Sequence, residues 1–236
     1  MSDYIYSNGE LYHYGVPGMK WGRRKAMGYA KVVDSNRSMA SKWDEKAQKA
    51  TSKGKLGKAS KYTNKADISR AEAAKYQQKI DKMAEKRYSK AGVKAGKADY
   101  YRDKANQAYQ KHDQNAKVLE KAAKNYDKQG NVFKAEASRK AAAALRARGM
   151  NVKEEHLKTA DAYMKRSAKL NEKANNFATA TRSSLGKNKV NSIINSSKKK
   201  GYDRAKAADE YQREQDLQDR LGEDRYNTYN RIRGKS

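Results

Sequence analysis

The chain has 236 residues, with 55 Lys and Arg against 27 Asp and Glu, a formal net charge of +28. Such a balance favours an acidic partner, such as nucleic acid or an acidic protein surface. Ile, Leu, Val and Phe make up only 25 of the 236 residues, which excludes a sizeable core of large side chains. The chain has no cysteine, and this excludes a disulfide framework and a thiolate metal site.

Hydropathy and charge placement narrow the class further. No apolar run reaches the roughly 18 residues of a spanning helix, and the first 25 residues lack a continuous apolar segment. We therefore expect a protein made in the cytoplasm, without a transmembrane segment or a secretory signal. Residues 203–236 hold eight acids and eight bases, so the whole excess of positive charge lies before Asp203.

The first segment differs in composition from everything after it. Residues 11–25 read LYHYGVPGMKWGRRK and contain the only proline of the chain, Pro17. Proline restricts its own backbone and that of the preceding residue, whereas glycine permits turns. We expect a non-helical docking loop within a first region, 1–33, that presents Trp21 beside basic side chains, a common composition of binding hot spots. The alternative is that Trp21 folds back on this chain, against Met27 or Trp43.

This segment resembles a known short motif. Residues His13–Lys25 are similar to H-x-G-x-x-G-x-K-W-G-x-R-R, which is found near the ends of virion-associated proteins of tailed bacteriophages and prophages. Arg23 stands where a small apolar residue is commoner, and Lys25 replaces the final arginine. The resemblance implies a virion protein that a phage head or portal-region protein holds by this motif. The residues expected to dock are His13, Gly15, Pro17, Gly18, Lys20, Trp21, Gly22, Arg23 and Arg24.

Residues 34–182 form a basic region rich in Ala, Lys and Tyr, and they carry apolar residues at helical spacing. We predict long helices over 57–91, 94–128 and 152–182, and shorter ones over 35–51, 131–148 and 203–221. The expected fold class is all-α, with elongated helical hairpins or coiled-coil-like rods and partly disordered linkers. The three stripes are Tyr62, Ala66, Ser69, Ala73, Tyr76, Ile80 and Met83; then Ala98, Tyr101, Ala105, Ala108, His112, Ala116, Leu119, Ala123 and Tyr126; then Leu157, Ala160, Met164, Ala168, Ala174 and Phe177.

Glycines mark the predicted helix ends. Gly92 and Gly96 predict a turn, Gly130 predicts a left-handed helix cap, and Gly149 predicts an end before a new helix capped by Asn151. Residues 123–149 resemble a tetratricopeptide-like helix pair, but no 34-residue period follows. Simple helical hairpins are therefore preferred over the alternative, a repeat solenoid. Alanine seams bury little area, so we also expect self-association or a partner surface to support the helices.

Residues 183–202 are predicted to be a flexible cationic linker, followed by a charge-balanced C-terminal helix within 203–236. The stretch 182–200 has six bases and no acid. Basic side chains of this kind contact phosphate without reading sequence. Tyrosines such as Tyr62, Tyr76, Tyr100, Tyr101 and Tyr109 either pack between helices or stack on bases. The residues expected to bind nucleic acid are Arg182, Lys187, Lys189, Lys198, Lys199 and Lys200.

No catalytic, cofactor or metal motif stands out. His13, His112 and His156 are the only histidines, and they are widely separated. Neither a phosphate-binding glycine loop nor a serine with a base at a fixed spacing is present. We therefore expect a protein that is not an enzyme and that uses no cofactor or metal.

Three functions remain compatible with these features. The first is a head-associated or cargo protein of the virion, which binds packaged DNA without sequence preference. The second is a histone-like protein that binds nucleic acid in the infected cell. The third is an assembly factor, such as a scaffold, or an ejected protein that binds an acidic membrane surface.

Overall fold

The computed structural model describes residues 5–7, 10–12 and 21–222. Over residues 21–222 the all-α prediction is confirmed. Four helices are present, α1 (Trp21–Ser52), α2 (Leu56–Lys128), α3 (Val132–Ala180) and α4 (Lys187–Leu221). Two three-residue strands, β1 (Ile5–Ser7) and β2 (Glu10–Tyr12), pair antiparallel with Tyr6 opposite Leu11.

Contacts divide the chain into two compact units. Unit 1 comprises residues 1–86 and 173–186, and unit 2 comprises residues 87–172 and 187–236. Unit 1 thus contains α1, the first part of α2 and the end of α3. Unit 2 contains the rest of α2 and α3 together with α4.

The core of unit 1 follows the first predicted stripe. Ala66, Ser69, Ala73 and Ile80 are all buried. Val33 of α1 joins Ala73 and Ile80 in one cluster, with Tyr29, Ala30 and Tyr76 packed against it. Few of these side chains are large, so most of the core consists of contacts between α1 and α2 through alanine side chains.

The second stripe lies in unit 2 and is confirmed, whereas the third, which runs from unit 2 into unit 1, is corrected at one position. Ala98, Ala105, Ala116 and Ala123 of α2 are buried. On α3, however, Ala168 is exposed and the neighbouring Ser167 is buried. Ala160, Ala174 and Phe177 of the third stripe are buried as predicted, and Ser167 takes the place of Ala168 between them. Ser167 satisfies its hydroxyl by donating to the Ala91 carbonyl oxygen at 2.8 Å.

Two predicted helix breaks are wrong, because the glycines there are packing positions. Gly92 and Gly96 lie inside continuous α2, and Gly149 lies inside continuous α3. A Cβ on Gly92 would lie 2.5 Å from the Ile194 carbonyl oxygen, and one on Gly149 would lie 2.7 Å from His112 Cβ. The missing side chains let neighbouring helices approach closely, and that packing offsets the roughly 1 kcal/mol helix cost of glycine. Asn151 is therefore an exposed residue within α3 and not a cap, and a 49-residue α3 does not fit the paired helices of a tetratricopeptide repeat.

The predicted linker 183–202 is also wrong over most of its length, since α4 begins at Lys187. Its composition is polar, but Val190, Ile194, Ser197, Gly201 and Ala205 recur at helical spacing. Ser197, Gly201 and Ala205 are buried. The stripe was hidden because three of its five members are small or polar.

True helix ends carry a specific backbone cap. Gly54 and Gly130 adopt left-handed φ values of 69° and 72°. The following amides, Lys55 and Asn131, donate back to the carbonyl oxygens of Ala50 and Tyr126 at 2.9 Å, the arrangement of a Schellman cap. The predicted cap at Gly130 is confirmed. Arg182 plays the same part at the end of α3, with a φ of 51°.

The first helix begins earlier than expected, within the region 1–33 that was predicted to be non-helical. α1 begins at Trp21, because Ala26 and Val33 already supply a buried stripe two turns apart. No proline follows Pro17 to interrupt the helix.

Gly96 provides a test of the packing explanation. A Cβ at Gly96 would collide with the Lys198 carbonyl oxygen, whereas one at Gly28, also inside a helix, meets nothing within 4 Å. We expect Gly96→Ala to lower the free energy of unfolding by about 1–3 kcal/mol through overpacking. Gly28→Ala should raise it by about 0.5–1 kcal/mol through helix propensity. Urea unfolding followed by circular dichroism measures both, and equal stabilisation by the two changes would contradict the close packing at Gly96.

Candidate nucleic-acid interface

Most of the predicted docking residues lie outside the described part of the chain. His13, Gly15, Pro17, Gly18 and Lys20 belong to this group. Trp21 and Gly22 are the first two residues of α1, Arg23 is exposed and Arg24 is half-buried. The last residues of the motif therefore belong to a helix and not to a non-helical loop.

The six bases predicted to bind nucleic acid are divided between the two units. Arg182 belongs to unit 1, at the end of α3, and pairs with Asp34 at 2.7 Å. Lys198, on α4 in unit 2, pairs with Asp99 at 2.6 Å. The remaining four are exposed along α4, namely Lys187, Lys189, Lys199 and Lys200.

A denser basic segment joins α1 to α2. Residues 46–66, here called the lysine turn, contain seven lysines and no acid. All seven side chains are exposed, and none forms an ion pair with a carboxylate in the described ranges. This acid-free run of lysines is visible in the sequence. The seven are Lys46, Lys49, Lys53, Lys55, Lys58, Lys61 and Lys65.

An aromatic pair stands beside the lysine turn. The rings of Trp43 and Tyr62 stack with centroids 5.8 Å apart and planes inclined by 16°. The Nζ atoms of Lys46 and Lys65 lie 4.5 and 4.7 Å from the centroid of the Trp43 ring. These distances are typical of cation–π contacts. Unit 1 thus combines exposed positive charge with a half-buried aromatic surface.

Tyr76, Tyr100 and Tyr101 pack between helices, which is one of the two predicted alternatives. Tyr76 contacts Tyr29 with centroids 5.3 Å apart, and Tyr101 stacks on Tyr163 at 5.7 Å. Tyr100 is buried and donates its hydroxyl to Asp209 at 2.8 Å. These rings supply the bulk that the alanine stripes lack.

Asp209 anchors α4 to α2 within unit 2. Its carboxylate accepts hydrogen bonds from Tyr100 and Lys104, and Arg213 pairs with it at 2.7 Å. Burial disfavours the charged carboxylate, but the bonds from Lys104 and Tyr100 outweigh that effect and hold the Asp209 pKa below its usual value. Burial and the nearby Lys104 charge lower the pKa of His156, which lies close by. Asp209, Tyr100, Lys104 and Arg213, here called the Asp209 cluster, are thus bonded together and hold α4 against α2.

Residues 5–7, 10–12 and 21–222 contain neither a candidate metal-ion site nor a candidate membrane span. No group of three or more His, Asp or Glu side chains there could hold a metal ion. No helix in these ranges is both long and apolar enough to cross a membrane.

Comparison with known proteins identifies one short region. The sequence model of a protein family of unknown function, DUF7211, matches residues 3–28. This match includes the whole predicted docking motif and the first eight residues of α1. No curated protein and no solved structure matches the chain.

The stabilising effect of the Asp209 cluster can be tested directly. At neutral pH we expect Asp209→Asn to lower the free energy of unfolding by about 1–3 kcal/mol, because Lys104 loses its charged acceptor. Since the folded pKa is lowered, the stabilisation is complete above the ordinary Asp pKa of about 3.9 and is lost as the pH falls through the folded value. Urea unfolding at pH 7 and at pH 3 measures the effect. Asp219→Asn, at an exposed carboxylate, is the control. If the difference in unfolding free energy between Asp209→Asn and the parent grew below pH 4, the stabilising effect of the Asp209 cluster would be contradicted.

Proposed function

We propose that this chain is a structural protein of a phage particle, either head-associated or packaged as cargo. Its cationic helices bind the packaged DNA without sequence preference, and its N-terminal motif docks on a head or portal-region protein. No catalytic step is part of this function. The proposed location is the virion, after synthesis in the host cytoplasm.

The excess of positive charge is the observation that carries the DNA-binding part. If every carboxylate neutralised one base, 28 positive charges would still have no partner. Both units share this excess, since unit 1 has 21 Lys and Arg against nine acids and unit 2 has 34 against 18. Charge of this density attracts polyanions and releases their counterions on binding.

The docking part is supported by the extent of the family match. Only residues 3–28 match DUF7211, and the motif of residues 13–25 lies inside this range. A segment shared with other proteins, ahead of a helical region without a match, is the pattern expected of a module that attaches different cargoes to one partner. Self-association of the docked copies would further support the alanine-rich helices.

Salt dependence tests the DNA-binding part. We expect the dissociation constant for duplex DNA to rise by 10³-fold or more between about 50 and 200 mM salt if six to ten phosphates are contacted. Competition among DNA duplexes of different sequence should show less than tenfold preference. Fluorescence anisotropy measures both quantities, and binding that is independent of salt would contradict the proposal.

Particle incorporation tests the docking part. Trp21→Ala should reduce incorporation strongly, because loss of a hot-spot tryptophan costs about 2 kcal/mol or more, roughly 30-fold in affinity. Phe133→Ala, at an exposed aromatic residue of α3, is the matched control and should leave incorporation unchanged. Quantitative mass spectrometry of purified virions gives the copy number, and circular dichroism reports the helicity of each variant.

Three results would each oppose this assignment. Absence of the parent chain from virions would favour the histone-like function in the infected cell. Presence only in precursor heads would favour a scaffold. Normal incorporation of Trp21→Ala with reduced helicity would make Trp21 a structural residue of this chain.

A further inference from the structure

The lysine turn offers more unpaired charge than any other segment considered for nucleic-acid binding. Its seven lysines fall within 21 residues, all in unit 1. The stretch 182–200 has six bases, of which Arg182 and Lys198 are already paired with Asp34 and Asp99. Four exposed bases remain there, spread along α4. Phosphates therefore meet more free positive charge at the lysine turn.

The geometry of the turn concentrates this charge. α1 ends at Ser52 and α2 begins at Leu56, and the Schellman cap at Gly54 reverses the chain within these few residues. Lys49, Lys53, Lys55 and Lys58 consequently lie at the same end of the hairpin. Helix ends and short turns cannot separate like charges widely, so a bound polyanion would relieve their repulsion.

Other polar side chains near the lysine turn already bond to groups of the protein. Arg70 is held by Asp44 and by Asp67, the latter at 2.7 Å. The hydroxyls of Thr51 and Thr63 donate to carbonyl oxygens of their own helices at 3.0 and 3.2 Å. Phosphate contact at this end of unit 1 therefore depends on the lysines.

We propose that the lysine turn is the principal nucleic-acid contact of the chain, with the phosphate backbone on its lysines and Trp43 beside it. This assignment rests on the proposed DNA-binding function. When Lys46 and Lys65 turn toward phosphates, they leave the face of the Trp43 ring, which then meets the nucleic acid.

Two matched variants test the location. One carries Lys→Gln at residues 49, 53, 55 and 58, and the other carries Lys→Gln at residues 187, 189, 199 and 200. Each removes four exposed positive charges with little change in helix propensity. The turn variant should bind DNA at least tenfold more weakly at 100 mM salt. Its slope of log affinity against log salt should fall by about three to four, since each phosphate contact contributes about 0.9, and that of the α4 variant by about one or less.

The possible failures are distinguishable. Equal losses in the two variants, at equal helicity by circular dichroism, would overturn the lysine turn as the principal contact while general DNA binding stands. A parent chain that does not bind DNA at 50 mM salt would overturn both proposals. Binding of the parent to vesicles containing phosphatidylserine, without binding to DNA, would assign the turn to a membrane surface and also overturn them.

The fluorescence of Trp43 reports binding at the lysine turn. The chain has two tryptophans, so Trp21→Phe leaves Trp43 as the only indole. Titration with duplex DNA should change its emission with the same midpoint as the anisotropy of the labelled duplex. The four turn substitutions should remove this change at the same concentrations. Constant Trp43 emission during full DNA binding would overturn the contact.

Discussion

Close approach of α2 and α4 is the constraint on which unit 2 depends. Gly92 and Gly96 face the backbone of α4, and Gly201 faces that of α2 at Val93. With few large apolar side chains available, the helices gain contact by approaching closely, because dispersion attraction falls steeply with distance. The same approach brings Asp209 within reach of Tyr100 and Lys104. Small residues at the helix contacts, together with the paired carboxylate of Asp209, stabilise the packing that leucines stabilise in most helical cores.

Much of the fold is predictable from spacing, and the errors share one physical cause. The stripes of α2 were predictable because alanine and tyrosine recur every three or four residues, and the buried Ala66, Ala73 and Ile80 confirm them. Glycine is ambiguous in a sequence, since it ends a helix at Gly130 yet lies in a close helix contact at Gly96. Which role applies depends on a neighbour about 100 residues away. The α4 stripe was missed because a buried serine and glycine look like linker residues.

The candidate interface was predictable in its charge but not in its location. Arg182 and Lys198 were selected for an acid-free sequence, but their partners, Asp34 and Asp99, lie far away in the chain. Only the fold reveals such neutralisation. The lysine turn, by contrast, has seven lysines without an acid, a signal that was present in the sequence. Its significance depends on the turn that gathers the lysines at one end of unit 1 and on the stacked Trp43 beside them.

A cross-link between α2 and α4 tests the central claim most directly. The Ser197 hydroxyl donates to Ser89 Oγ at 2.9 Å, and the chain has no cysteine, so an intramolecular disulfide can form only between the two introduced thiols. Under mild oxidation at low protein concentration, Ser89→Cys with Ser197→Cys should form an intramolecular disulfide, detected as a mass loss of about 2 Da from the two thiol hydrogens. Ser89→Cys with Ser196→Cys is the control, because Ser196 is exposed on α4. Efficient cross-linking of the first pair alone is the predicted result, and equal cross-linking of both pairs, or of neither, would contradict a fixed α4 packed against α2.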